Sequence, residues 1–318
     1  MNLTPIKQIK VKKEIKASEL VEQFSDIGFQ ARKLGEAGKI FEEMIKDKEC
    51  TIFFGLAGAM VPAGIKEIII DMLNSGAINV LVTTGANLTH DLIEALGHKH
   101  YKGTEQINDA ELKNKKIDRI YNVFLKDEVY KDLEKFFERI YSSLQKEMNI
   151  KEFLWEIGKN IQAENSILKV CYEKKIPIFC PAIADSGIGL MIWGRLIQGE
   201  NINENLKKEP RIKVDVFDDL REILDISWTC KKAGVFYIGG GVPKNYIQEA
   251  MQCSNKQDGA NYGIQITTSQ EEYGGSSGAS LKEGISWGKM SQKGKFVNVS
   301  CDATIALPLI WAYVKDNL

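Results

Sequence analysis

Thr51 to Thr83 reads TIFFGLAGAMVPAGIKEIIIDMLNSGAINVLVT: an apolar run, a glycine-rich turn, a segment of helical spacing and a second apolar run. Thr51 to Gly55 and Ile78 to Thr83 are short, rich in aromatic or β-branched residues and nearly all apolar, as strands covered on both faces must be. Between them Ile68, Ile69, Met72 and Leu73 recur at helical spacing within Ile65 to Asn74, and Ser75-Gly76 supplies a terminator. Strand, helix and strand in this order make a βαβ unit, whose two strands run parallel.

The alternation continues along the chain. Further strand candidates are Ile167 to Cys171 (ILKVC), Ile176 to Cys180 (IPIFC), Gly234 to Ile238 (GVFYI) and Gly263 to Thr267 (GIQIT). Tyr130 to Glu164 is helical in pattern and charged on its outer face, and reads as a long connection lying over the sheet. No linker rich in Pro, Gly or Ser divides the chain. The expectation is an α/β fold: a single extended domain on a mainly parallel sheet with helices on both faces. It would span residues 21–318, behind a basic arm of residues 1–20 that reads as a mobile solvated tail.

Composition excludes several classes. In 318 residues, 42 Lys+Arg stand against 43 Asp+Glu, so the global basic field of a non-specific nucleic-acid binder is missing. The 27 glycines cluster rather than recur at a fixed period, which argues against collagen-like and solenoid architectures and for tight turns and close ligand approach. Cys50, Cys171, Cys180, Cys230, Cys253 and Cys301 form no CxxC pair and read as buried thiols of a cytoplasmic protein. The longest apolar stretch, Ala303 to Val314, is too short for a membrane span and holds Pro308, and the N-terminus lacks the apolar run of a signal peptide. His98 and His100 flank Lys99 in a polar turn, and with His90 as the remaining histidine no metal site is expected.

Five stretches carry potential chemistry. Gly55 to Gly64 follows a strand and opens a helix, so its small residues fit either a phosphate cradle or a turn selected for packing. Thr83 and Thr84 end the next strand, where open α/β sheets bind ligands, with Asn87 or Thr89 placed to cap the helix beyond. Asp185, beside Gly187 and Gly189, suits a ribose hydroxyl or an ordinary turn. Gly239, Gly240 and Gly241 in succession cost backbone entropy and point to close contact with a ligand or a neighbouring chain. Finally, the polar loop from Gln270, through Gly274 and Ser277, ends in Ser286-Trp287-Gly288-Lys289. A lysine in an aromatic-walled pocket has its ammonium form disfavoured, which frees the amine for imine formation, although a surface lysine lying over a ring has the same sequence. Asp302 either faces a nucleotide or caps the segment that follows it.

IGGGVPKN around Gly240, the run GANYGIQITTSQE, SSGA followed by SWGK at Lys289, and the ending CDATIALPL together resemble the deoxyhypusine synthase family, in matching order from about Phe29 through Tyr313. The resemblance implies a single extended Rossmann-like, doubly wound sheet with helices on both faces, and a tetramer of tight dimers with NAD held near the subunit interface. It also implies a reaction in which NAD oxidises spermidine, the aminobutyl group is captured as an imine on a lysine, and an acceptor amine receives it. That acceptor would be a lysine of the translation factor 5A precursor, or putrescine in relatives that make homospermidine. Carried over by position, Lys289 is the imine-forming lysine, Trp287 the wall against the polyamine, and Glu283 an amine-binding carboxylate. Thr83, Asp185, Gly240, Ser277 and Asp302 fall on cofactor contacts, with Thr84, Gly239, Gly241 and Gly274 beside them. Asn245 stands where the synthases carry a histidine, Leu190 and Ser276 where they carry aspartates, and Tyr273 replaces a further aspartate. These departures leave open a synthase for small polyamines, or an inactive NAD-binding paralogue that pairs with a complete subunit.

Overall fold

The computed structural model describes residues 3–197, 212–254 and 258–318. Its elements begin with α1 (Ala17–Phe24), α2 (Phe29–Lys46), β1 (Cys50–Leu56), α3 (Lys66–Asn74), β2 (Val80–Thr83), α4 (Gly85–Ala95), β3 (Tyr101–Lys102), α5 (Asp109–Asn114), β4 (Ile117–Ile120) and β5 (Val123–Lys126). Next come α6 (Val129–Tyr141), β6 (Glu147–Asn149), α7 (Ile150–Lys159), α8 (Ile167–Glu173), β7 (Ile178–Phe179), α9 (Gly187–Ile197) and β8 (Lys213–Asp215). The chain closes with α10 (Phe217–Thr229), β9 (Lys232–Ile238), α11 (Gly241–Gln252), β10 (Ala260–Thr267), β11 (Met290–Ser300) and α12 (Ala303–Asn317). It divides into two compact units of interleaved segments: Met1–Gly58, Ser75–Val82 and Leu220–Leu318 form one, Ala59–Asn74 and Thr83–Asp219 the other.

The first unit carries strands in the order β11-β10-β9-β1-β2, with β1, β9, β10 and β11 parallel. Side chains alternate across β9, and the two faces meet different helices. Phe236 packs edge-on against Phe41 of α2 at 4.9 Å between ring centroids, and Phe41 in turn meets Trp311 of α12 at 6.1 Å. Tyr237, on the opposite face, lies over Gly55 beside Ile247 of α11, and a Cβ on that glycine would stand 2.8 Å from the ring. Each such buried aromatic contributes about 2–3 kcal/mol of transfer free energy. The α/β architecture with helices on both faces is as the sequence predicts, and the GVFYI and GIQIT runs are strands.

Register fixes where chemistry can occur. Leu56 pairs with Ile238, Ile266 with Ile238, and Thr267 with Ser300. The carboxyl ends of these strands are therefore level, and the Gly239–Gly241 turn, the loop after Thr267 and Asp302 all leave from one edge. Ligands of open parallel sheets bind at that edge.

The second unit departs from the pattern reading. Ile167 to Cys171 is helical, not extended: Ser166 caps α8 by accepting from Lys169 N, and the buried Asp91 carboxylate accepts from Ile167 N and Leu168 N, both at 3.0 Å. A short apolar run does not distinguish buried helix from buried strand, and the cap decides it. In Ile176 to Cys180 only Ile178–Phe179 is extended. The long helical connection breaks after Tyr141, and α7 starts afresh from a capping box in which Asn149 and Glu152 satisfy each other's backbone amides. The unit also holds an antiparallel sheet, β3-β5-β4, and a parallel pair, β6 with β8.

The basic arm is not a loose tail from residue 3 onward. It runs extended beside α1, where Lys10 N donates to Gln23 Oε1 at 2.8 Å and the Lys7 ammonium meets Asp26 at 2.7 Å. None of the described helices is long and apolar enough to cross a membrane.

Candidate active site

At the carboxyl edge of the first unit the glycine turn and the polar loop interlock. Gly239 and Gly241 have φ of +71° and +55°, a left-handed conformation that glycine adopts without a Cβ clash. Ser277 Oγ accepts from Gly241 N at 3.0 Å, and its Cα would lie 2.3 Å from a Cβ at Gly240. Around Gly241 the opposite holds: a Cβ there would meet nothing within 4 Å, so the backbone at the start of α11 faces open space.

Beside this junction is a cleft of about 190 Å³ lined by Asn245, Ser276, Glu283, Trp287 and Lys289, with Gly274 at its margin. Lys289 is half-buried, and its Nζ lies 5.1 Å from the centre of the Trp287 ring, which is 57% exposed. Lys289 N donates to Gly284 O at 2.8 Å and its carbonyl accepts from Ala260 N at 3.1 Å, so the backbone under the amine is fixed. The Asn245 side-chain amide donates to Glu249 Oε1 at 2.9 Å. The fold thus brings together Lys289, Trp287, Glu283 and Asn245, singled out from sequence as catalytic or amine-binding, with Gly274, which the sequence placed among the cofactor contacts.

The cleft has a buried support that the sequence reading passed over. Lys244 is 1% exposed, and its ammonium donates to Gln265 Oε1 at 3.0 Å, Ser276 O at 2.9 Å and Ala279 O at 2.5 Å. Burial pushes its pKa down to about 8; Glu283 and Glu271 work against that shift and Lys289 works with it. Gln265 is fully buried and donates to Gly239 O at 3.1 Å and Ser277 O at 3.0 Å, while Asn298 donates to its Oε1 at 3.0 Å. One signal was available: Gln265 is an amide flanked by Ile264 and Ile266 in the apolar part of its strand, and such a buried group must find partners.

Asp302 caps α12, accepting from Thr304 N at 2.7 Å and from the Thr304 hydroxyl at 2.5 Å. Of the two roles open to it, capping is occupied.

The other cofactor candidates belong to the second unit. Thr84, not Asn87 or Thr89, is the N-cap of α4. Asn87 lies inside that helix, where Oδ1 accepts from Met60 N at 3.1 Å and Nδ2 donates to Thr83 Oγ1 at 3.3 Å. Thr89 donates to Gly85 O and accepts from Ile188 N. Asp185 is exposed in the turn before α9, and Leu190, on that helix, is 58% exposed. The histidines are not a simple polar turn. His100 Nδ1 lies 2.7 Å from Glu94 Oε1, His100 Nε2 lies 2.9 Å from His90 Nδ1, and Glu94 also meets the Lys66 ammonium.

The family profile "Deoxyhypusine synthase" matches residues 19–314. The chain belongs to the deoxyhypusine synthase family. It is 44% identical over 317 residues to "Probable deoxyhypusine synthase 1" of Methanosarcina acetivorans, an alignment covering 99% of this chain and 96% of the relative. Identity is 38% to "Deoxyhypusine synthase-like protein" of Chlorobaculum tepidum, over 98% of this chain and 90% of that one. The fold matches a crystal structure of a candidate deoxyhypusine synthase from Entamoeba histolytica with a TM-score of 0.63 at 20% identity, covering 97% and 96% of the two chains. Family membership makes the protein an enzyme of the transferase class.

Proposed function

We propose that this family member is an NAD-dependent aminobutyl transferase, acting on spermidine or a related amine through an imine on Lys289 and passing the group to a lysine of the translation factor 5A precursor. The observation that carries the reading is the cleft itself: a half-buried lysine amine against an indole, with a carboxylate at the same wall. The residues fit NAD at the glycine turn, where a Cβ at Gly241 would meet nothing within 4 Å and the α11 N-terminus favours a phosphate. Gly239, Gly240, Gly241 and Ser277 would hold it there, with Asp302 of the same unit as a further candidate. When bound, NAD supplies hydride acceptance and return.

The chain's own groups do the rest. Glu283 binds an ammonium group of the donor, and Trp287 lies along its methylene chain. Lys289 Nζ adds to the oxidised carbon of the donor, and the departing amine takes a proton as the imine forms. The acceptor amine then displaces Lys289 by the same exchange, which frees Nζ for the next turnover. We further propose a cytoplasmic tetramer of tight dimers.

One observation favours a second reading. Among the described residues Glu283 is the one carboxylate lining this cleft, Asn245, Gln248, Ser276 and Ser280 are neutral, and Lys289 adds positive charge. Such a lining suits a donor or acceptor with few ammonium groups, as in a small-polyamine synthase using putrescine. Incubation with NAD and a panel of di- and polyamines, with and without the factor 5A precursor, followed by mass analysis of protein and small molecules, separates the two. Borohydride should trap an adduct on Lys289, and Lys289→Arg should abolish both adduct and turnover. NAD-dependent turnover by that variant would sink the imine mechanism, and no turnover with any amine would favour an inactive NAD-binding paralogue.

A further inference from the structure

Lys244 is a buried cation placed where no charge is needed to fold a helix, and its three ammonium protons are matched by three acceptors at Gln265, Ser276 and Ala279. Two of these acceptors are main-chain carbonyls of the loop that walls the Lys289 cleft. The same loop is held from other sides: Ser277 O by Gln265 Nε2, Ser277 Oγ by Gly241 N, and Leu281 N by Asn298 Oδ1 at 3.0 Å. Lysine suits this task because an ammonium offers three donors and no acceptor. Methionine, of similar length, would leave two loop carbonyls without their donor.

We propose that Lys244 is a positioning residue: its ammonium clamps the 276–281 segment onto the Gly239–Gly241 turn, so that the amine cleft and the glycine turn are assembled as one rigid edge. The proposal rests on the transferase reading only in taking the Lys289 cleft as the amine site. Lys244 touches neither the cleft's contents nor the Trp287 ring. Its effect passes through Ser276 and Ala279, and the charged groups that bear on it are Glu283, Glu271 and Lys289. Removing the clamp should therefore weaken amine capture and leave the chemistry at Lys289 Nζ intact.

The test compares Lys244→Met with the unaltered protein. Hydrogen exchange of the 276–281 amides should quicken at least about tenfold while α12 is unchanged, the mark of a local opening. With spermidine and NAD, KM for the amine should rise about tenfold and kcat stay within about threefold, as lost binding geometry requires. Unchanged exchange in 276–281, exchange that quickens equally in α12, or a fall in kcat with KM retained would each overturn the proposal. Should the variant not fold, reductive methylation of the unaltered protein with formaldehyde and cyanoborohydride decides: Lys244 should be spared while the exposed Lys282 reacts, and methylation of both at one rate overturns the clamp. If the unaltered protein turns over no amine, the transferase reading fails, while the exchange experiment still decides the role of Lys244.

Discussion

Gly240 and Ser277 approach so closely that a Cβ on the glycine would lie 2.3 Å from the serine Cα and 2.9 Å from its hydroxyl oxygen. The contact is with backbone, which cannot rotate away as a side chain can. Gly240→Ala must separate the glycine turn from the loop, and the expected cost is about 1–3 kcal/mol, the range for overpacking a close-packed site. Urea denaturation should show that loss, and borohydride trapping at Lys289 should fall with it. A variant of unaltered stability and trapping would mean that the two segments are not locked together.

Trp287 covers Lys289 with its ring face at 5.1 Å, on the open side of the cleft. Cation–π attraction at a partly exposed site is about 0.5–1 kcal/mol, and lost packing along an aliphatic amine adds to it. For Trp287→Leu we expect kcat/KM for the amine to fall roughly tenfold, with stability nearly unchanged because the indole is exposed. A loss of stability without a change in kcat/KM would give the indole a folding role instead.

Much of this edge was legible in the sequence because glycine and lysine have few structural reasons to gather at strand ends. The apolar GVFYI and GIQIT runs open on glycine and are rich in aromatic or β-branched residues, so they read as buried strands, and the residues after them then lie at a carboxyl edge. Lys289, Trp287 and Glu283 were visible as a short spacing in one loop. Lys244 was hidden by its neighbours: a lysine in the first turn of a helix, four residues after the Gly240 cap, reads as solvated, and its burial depends on a loop more than 30 residues later folding back over it. ILKVC was misread for a related reason. Beside the Ser166 cap, its first two amides are held by Asp91, 76 residues away from Ile167, and no local pattern records those bonds.

Titration of Lys244 should be readable in stability. Its folded pKa of about 8 lies below the 10.5 of an ordinary lysine, so between these values the unfolded chain holds the proton more firmly. Unfolding then takes up protons, and this group's contribution to stability rises with pH through that window, on the order of 1–3 kcal/mol in total. Chemical denaturation from pH 7 to 11 should show Lys244→Met lacking that rise relative to the unaltered protein. Parallel profiles would mean that the ammonium is not buried in solution.

Asp91 and His90 should oppose each other over a lower window. Burial raises the Asp91 carboxyl to about 6 despite the bonds it accepts from Ser166, Ile167 and Leu168. Its folded pKa exceeds 3.8, so the folded state holds the proton more tightly and stability falls as pH rises from about 4 to 6. Burial, with the neighbouring His100, lowers His90 to about 4, below 6.5, so the unfolded state holds that proton more tightly and stability rises with pH from about 4 to 6.5. In the intact protein the two slopes largely cancel. Asp91→Asn should leave stability climbing with pH across this range relative to the unaltered protein, and His90→Gln should leave it falling, each by on the order of 2 kcal/mol. Denaturation at pH 4, 5, 6 and 7 decides the signs, and two variants that deviate in the same direction would show that one of these groups is solvated rather than buried.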